Sequence, residues 1–391
     1  MSTQSDLYDQ LVEFLWQQGM YREAFDYAER ARARALLDQI GNPQVAIQWQ
    51  ADDPVIKEAE EARRRLIHFQ SALASEREKA TDEQNLARLS ELSSQLEAER
   101  SNFETLITRL KITHPEYASL VQGDIVKLEN LQKEILDADT TLIEYFVIGE
   151  QTLAWVIDRQ NVTAVALNIS REDLKQQITY LRDVITAKDF DPITAAELYG
   201  RIFTPLKPYI KYPNLIIAPH GVLHYLPFAA LWDAQDQHSL IQDYTITYAP
   251  SASVLKFTLT QHKPGSGHIL ALGNPDNTLR FAEAEVARVA TLYGTSPLSR
   301  SQATESRIYS QADQIDILHL AAHGVYDSFH PLNTRIELAA DKINDGKLEV
   351  YEIFGLNLRN ANLVVLSACD TSKGQLTAGD EIVGLTRAFL A

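Results

Sequence analysis

The sequence predicts an α/β protein, with mostly parallel sheets flanked by helices and an all-α region at the N-terminus. Three observations carry that expectation. Short runs of β-branched and apolar residues, such as Asp316 to Ala322 and Leu363 to Leu366, are closed at once by small or polar residues, the pattern of buried parallel strands. The segments between such runs hold apolar residues at helical spacing. Before them, from Pro54 to Leu110, charged residues are dense, Gly is absent, and Leu86, Leu89, Leu92, Leu96, Phe103, Leu106 and Leu110 keep roughly heptad spacing.

With 391 residues the chain has room for two or three domains, and its apolar content is that of an ordinary globular protein. A formal net charge of −17 without a basic block argues against nucleic acid and anionic membrane as direct partners. The start, MSTQSDLYDQL, lacks the basic region and apolar core of a signal peptide, and no later apolar run approaches membrane-spanning length. The expected location is a reducing cytoplasm.

In chain order, residues 1–40 read as two helices broken at Gly19. Their small residues Ala24, Ala28 and Ala31 permit close helix approach and resemble the last unit of a tetratricopeptide array. A linker containing Pro43 leads to residues 54–112, a long helical hairpin whose charges form a solvated face; Thr81 and Gln84 would cap its second helix. His114-Pro115 ends it. Residues 137–262 read as an α/β unit: a hairpin around Gly149-Glu150, helices at Arg171 to Ala187 and Thr194 to Ile210, a buried strand before Pro219-His220-Gly221, and a strand and helix from Thr245. Residues 266–391 form a second unit, with strands at HILALG, Asp316 to Ala322, Arg335 to Ala339 and Leu363 to Leu366. It has helices at Ala282 to Gly294 and Glu349 to Phe354, and a last helix starting near Asp380-Glu381.

Two reactive residues follow two of these strands. His323 precedes Gly324, and Cys369 lies between Ala368 and Asp370; 369 − 323 = 46 residues separate them, enough for one crossover. Open α/β sheets place function at the carboxyl ends of their strands. A Cys/His pair brought together there makes a thiolate nucleophile at neutral pH. Cys369 is the sole cysteine, so no internal disulfide forms, and the plainer reading of such a residue is a small buried hydrophobe. Its place just beyond the apolar run, among Ser367, Ala368 and Thr371, favours the nucleophile. The N–H groups of Gly324 and Cys369 are the candidate oxyanion hole. Ser367 lacks a G-x-S-x-G elbow, and no phosphate-binding or dinucleotide motif is present.

LIIAPHGVLHYLPFAAL, YAPSASVL, AEAEVARVATLYG, ILHLAAHGVYD and VVLSACDT, in this order, resemble the CHAT domain family, whose fold is caspase-like, related to separases, and often preceded by tetratricopeptide repeats. The resemblance covers roughly Asp137 to Ala391. It implies a cysteine endopeptidase of the caspase clan with His323 and Cys369 as its dyad. It also implies a degenerate first half (137–262) and a catalytic second half (266–391). His220-Gly221 imitates the His-Gly motif with no cysteine after it in that half, so His220 and His224 are taken as structural. Their four-residue spacing is a weak metal signal spoiled by Gly221 and Pro227; no metal or cofactor is expected. The family continues past the helix holding Gly384, Arg387 and Phe389, so a C-terminally truncated catalytic half is expected.

Related separases accept Arg with an acid beside the nucleophile. The candidates here are Asp380 first, Glu381 in reserve, and Asp370, which fits better as the cap of the next turn. The expected function is cleavage of a protein substrate after a basic residue, with a partner on the helical region ordering the loop from Tyr326 to Thr334. The alternative is an inactive caspase-like scaffold that binds proteins.

Overall fold

The computed structural model describes residues 4–40, 54–77, 79, 85–113, 125–260, 265–327, 331–358, 360–368, 375–376 and 382–390. Gly19, in a left-handed turn at φ +74°, joins α1 (Gln4–Gln17) to α2 (Tyr21–Ile40). Helices α3 (Pro54–Arg77) and α4 (Leu86–Thr113) pack antiparallel: Ile56 and Ala59 at the start of one meet Leu106 and Leu110 at the end of the other. Arg65 and Glu99 pair across them at 2.9 Å. Among the described residues no helix is long and apolar enough to cross a membrane.

A short helix α5 (Leu128–Asn130), continued by a π turn, leads into the first sheet. Strands β1 (Thr140–Val147), β2 (Thr152–Ile157) and β3 (Val162–Leu167) form an antiparallel meander. Helices α6 (Arg171–Thr186) and α7 (Pro192–Leu198) follow. The single helix read over Thr194 to Ile210 is in fact three pieces: α7, a π turn over Tyr199–Phe203 and a 3-10 turn over Lys207–Tyr209. Pro205 and Pro208 explain the break, since neither offers an N–H to a continuing ladder.

Strand β4 (Asn214–Ala218) then pairs parallel with β1. A two-residue ladder joins β5 (Trp232–Asp233) and β6 (His238–Ser239), and β7 (Thr245–Tyr248) pairs parallel with β4. The five-stranded order is β3-β2-β1-β4-β7, so β1 is central and all eight of its residues are buried. One face of the sheet packs Ile143, Tyr145 and Val147 against α6 and α7. The other packs Phe146, Leu153 and Trp155 against Val12, Trp16 and Phe25 of the α1–α2 hairpin, with α8 (Ala252–Thr260) beside it. The Trp155 ring sits edge-on to Trp16 and Phe25, and its Nε1 donates to the Tyr21 carbonyl at 2.9 Å. The hairpin's apolar face is therefore buried on this sheet.

A charged cluster crosses that interface. Arg32 of α2 donates through Nη1 to the carbonyls of Pro219 and Pro250, both at 2.8 Å, and through Nη2 to that of Tyr145. Its Nε lies 3.8 Å from Glu144, a fully buried residue of β1. Glu29, one helical turn before Arg32, accepts from the Ser253 N–H at 2.6 Å and from its hydroxyl. Burial and then the neighbouring Glu29 push the Glu144 carboxyl well above the ordinary range, against the pull of Arg32. Pro219 and Pro250 follow β4 and β7, so the guanidinium covers the carboxyl edge of the first sheet.

The second sheet is wholly parallel, in the order β14-β10-β8-β9. Its first strand β8 (Ile269–Gly273) is buried throughout and leads to α9 (Arg280–Tyr293). Ala282, Val286 and Ala290, four residues apart, turn α9 onto the sheet. A Cβ on Gly273 would lie 2.8 Å from a Val286 methyl, so only glycine allows this approach. Strand β9 (Leu298–Ser299), helix α10 (Glu305–Tyr309) and β10 (Ile317–Ala321) follow. The chain then leaves the sheet into an antiparallel ladder of β11 (His323–Val325), β12 (Arg335–Glu337) and β13 (Lys347–Glu349). Buried Glu305 accepts from the Gly346 N–H at 2.8 Å and so ties α10 to the β12–β13 turn.

Helix α11 (Val350–Ile353), closed by a Glu349/Glu352 capping box, returns the chain to β14 (Leu363–Leu366). The last elements are β15 (Gln375–Leu376), β16 (Ile382–Val383) and α12 (Leu385–Leu390). The last helix thus begins at Leu385 and not near Asp380-Glu381. The β-branched Ile382 and Val383 pair with Leu376 and Gln375 instead.

Candidate active site

Three chain segments meet at the carboxyl edge of the second sheet. Strand β10 delivers the first: Leu318 and Leu320 point into the core under α11 and α12, while His319 on the opposite face bonds Glu285 of α9 at 2.8 Å. Ala322 is buried, and His323 emerges next with its side chain 39% exposed. Gly324, the candidate oxyanion donor, lies opposite Ile336 in the β11–β12 ladder. His323 lies opposite Glu337, whose carboxylate is held by Arg335 at 2.7 Å.

Strand β14 delivers the second. It runs parallel to β10 with Ile317 opposite Leu363 and Leu320 opposite Leu366, an offset of 363 − 317 = 46. The expected pairing of these two strands in one sheet is what the structure has. The Ser367 N–H continues the ladder by donating to the Leu320 carbonyl at 2.8 Å. The separation of Cys369 from His323 in sequence equals this offset. Cys369, Asp370, Asp380 and Glu381 lie outside the described residues, as do residues 328–330 of the loop expected to order on activation.

The third segment, Asn274 to Leu279, follows β8, and the reading of the sequence passed over it. The Asn274 N–H donates to the Ala321 carbonyl at 3.0 Å, pinning the loop to the end of β10. The buried Asn274 side chain accepts from the Leu279 N–H at 2.7 Å, at the start of α9. Asn274 and Asn277 both adopt left-handed backbone, at φ +51° and +64°, which asparagine tolerates better than other non-glycine residues. The turn presents Thr278 to the histidine: its Oγ1 is 2.7 Å from His323 Nε2 and 2.8 and 2.9 Å from the two Asp276 carboxylate oxygens. Asp276 Oδ2 itself is 3.7 Å from His323 Nε2. Partial burial raises the Asp276 carboxyl, but the Thr278 hydroxyl and N–H and the nearby His323 outweigh it and hold the group below its ordinary range. The signal was available: Asn-Pro-Asp-Asn-Thr closes an apolar strand as His-Gly closes β10.

The first sheet treats its own His-Gly differently. His220 is 3% exposed, its Nδ1 accepts from the Val147 N–H at 2.9 Å, and its ring lies 4.1 Å from that of Phe146. This is a packing role. Among the described residues no group of His, Cys, Asp and Glu side chains is placed to hold a metal.

The sequence family described as CHAT domain matches residues 192–391, just over half the chain and within the stretch marked out by the motifs. The chain belongs to the CHAT domain family. The matched CHAT region takes in β4 and β7 of the first sheet and the whole of the second, while β1–β3, which complete the first sheet, precede it. The chain is also similar to Tetratricopeptide repeat protein 28 of Mus musculus and of Homo sapiens. Each is 25% identical over an alignment covering 50% of this chain and 10% of the relative. The chain thus spans only about a tenth of the length of these curated relatives.

Proposed function

We propose that this CHAT chain is a cysteine endopeptidase of the caspase clan, acting in the cytoplasm on a protein substrate. The two sheets are then a degenerate and a catalytic half of a caspase-like fold. The observation that carries the reading is the parallel register of β10 and β14, whose offset equals the spacing of His323 and Cys369. His323 takes the proton of the Cys369 thiol, and the thiolate forms a bond to the scissile carbonyl carbon. The N–H groups of Gly324 and Cys369 hold the oxygen, whose charge rises in the transition state. His323 then gives its proton to the leaving amine as the C–N bond breaks, and water repeats the sequence to release the acyl group. General acid–base help of this kind is worth roughly 10²–10⁴-fold.

The residue before the scissile bond is basic in this reading, held by Asp380, with Glu381 and Asp370 as the other acids in reach of sequence. The similarity to proteins named for tetratricopeptide repeats supports a partner-binding role for the α1–α2 hairpin. Arg32, from that hairpin, bonds the loops after β4 and β7, which gives partner binding a physical route into the CHAT region.

The test is a fluorogenic peptide series varying only the residue before the scissile bond, run with the wild-type chain, Cys369→Ser and His323→Ala. Cleavage after Arg or Lys that both substitutions abolish is the expected result. No cleavage of any peptide, with or without candidate partners, would favour an inactive scaffold.

A further inference from the structure

The Thr278 hydroxyl carries one proton and sits between an acceptor and an ambivalent ring nitrogen. Its two shortest contacts to Asp276, 2.8 and 2.9 Å, are to carboxylate oxygens that can only accept. The hydroxyl proton therefore goes to Asp276, and toward His323 Nε2, 2.7 Å away, the same oxygen is an acceptor. The Nε2 atom must then carry the proton of that bond.

From this geometry we infer that Asp276 and Thr278 are positioning residues that fix His323 as its Nε2–H tautomer and leave Nδ1 as the only ring atom able to exchange a proton with the nucleophile. The inference deepens the proteolytic reading and rests on it for the identity of that nucleophile. The proton balance is complete. Nδ1 receives the thiol proton, giving a thiolate and an imidazolium that keeps its Nε2–H on Thr278, and the same Nδ1–H is later delivered to the leaving amine. The Asp276 charge, 3.7 Å from Nε2, offsets the imidazolium charge. The other charged groups near the ring are Glu337 across the β11–β12 ladder and Arg335, which pairs with it. Glu337 is thus already paired, and Asp276 is the acid directed at the ring. The αL backbone of Asn274 and its bond to the Ala321 carbonyl hold the turn in place, so the hydroxyl is positioned before substrate arrives.

Two measurements on the full chain test this. Long-range ¹H–¹⁵N correlation of the imidazole rings, with His323→Gln to assign the signal among ten histidines, reads the tautomer directly. The expected result is a neutral Nε2–H ring in the wild type and in Thr278→Ser, and a mixture of tautomers in Thr278→Val. An Nδ1–H ring in the wild type, or an unchanged population in Thr278→Val, overturns the inference. The second measurement is the pH–rate profile for alkylation of the chain's sole thiol by iodoacetamide, which has no competing cysteine. Loss of tautomer control in Thr278→Val should slow alkylation at neutral pH by about 10–100-fold, while Thr278→Ser stays within about threefold of the wild type. A profile shifted by His323→Ala but unmoved by Thr278→Val rejects the positioning role and leaves the proteolytic reading standing. The predicted tautomer and profile in a chain that cleaves no peptide would reject proteolysis and leave the positioning role standing.

Discussion

The chain carries His-Gly after a buried parallel strand twice, at His220-Gly221 behind β4 and at His323-Gly324 behind β10, and the two sites have opposite fates. At the first, the ring is sealed in, its Nδ1 is committed to the Val147 N–H, Gly221 turns left-handed at φ +58°, and Arg32 lies over the strand ends. At the second, the ring is half exposed, the chain bends at Ala322 out of the sheet into β11, and a polar turn offers a hydroxyl and a carboxylate. The dipeptide alone therefore does not make a site. What differs is whether neighbouring elements close the sheet edge with a fixed charge or leave it open beside a polar turn.

The largest effect separates the two histidines. His323→Ala should lower peptide turnover by 100-fold or more, at about the general acid–base contribution, with the thermal unfolding temperature nearly unchanged. His220→Ala should do the reverse. It leaves the Val147 N–H unpaired and a void against Phe146, for a loss of about 2–4 kcal/mol in urea unfolding, with the folded fraction reacting normally. Equal losses of turnover in both variants would break the contrast.

Next comes the closed edge. Arg32→Ala removes the cation 3.8 Å from buried Glu144 and the donor to the Pro219, Pro250 and Tyr145 carbonyls, and should cost about 3–5 kcal/mol. Adding Glu29→Gln should recover part of that loss, because one of the two acids no longer raises the other. Urea titrations of the single and double variants measure the coupling, and strict additivity would show that the cluster is not a unit.

A smaller effect sharpens the picture of the open half through Glu305. Burial, then the charge of Glu352, raise its carboxyl to about 7, against the Gly346 N–H. Between the ordinary carboxylate range and about 7, the folded chain keeps a proton that the unfolded chain has lost. Its stability therefore falls as pH rises through that window and levels off above it. Glu305→Gln, which keeps the acceptor for Gly346, should match the wild type in mild acid and exceed it by about 1–3 kcal/mol at mildly alkaline pH. A constant difference across the range would remove Glu305 as the cause.

Much of this was legible in the sequence because burial on both faces of a strand leaves a continuous apolar run. Ile269–Gly273 and Ile317–Ala321 stood out for that reason, Leu363–Leu366 stood out by its apolar run although it is an edge strand with Leu363 exposed, and the β10–β14 pairing followed from the similar strand endings. Charge hid the rest. Arg32 reads as one more cation in a charged helix, and Glu144 as the solvent-facing residue of an alternating strand, yet both are buried because each reaches partners far away in sequence. Asp276 and Thr278 look like ordinary turn residues, since their role depends on β8 lying beside β10. The late start of α12 was missed because acids at Asp380-Glu381 imitate a helix N-terminus, whereas Ile382 and Val383 prefer a ladder and Gly384 separates them from the helix.

In the proteolytic reading the open edge holds a working thiolate, and His220 at the closed edge takes no part in its chemistry. The direct measurement is intact-mass analysis after exposure to an acyloxymethyl ketone peptide ending in Arg, on the wild type, His323→Ala and His220→Ala. One adduct is expected, on Cys369, formed at similar rates in the wild type and in folded His220→Ala and lost in His323→Ala. An adduct that forms equally well in His323→Ala, or none in a chain whose thiol iodoacetamide still alkylates, would contradict that reading.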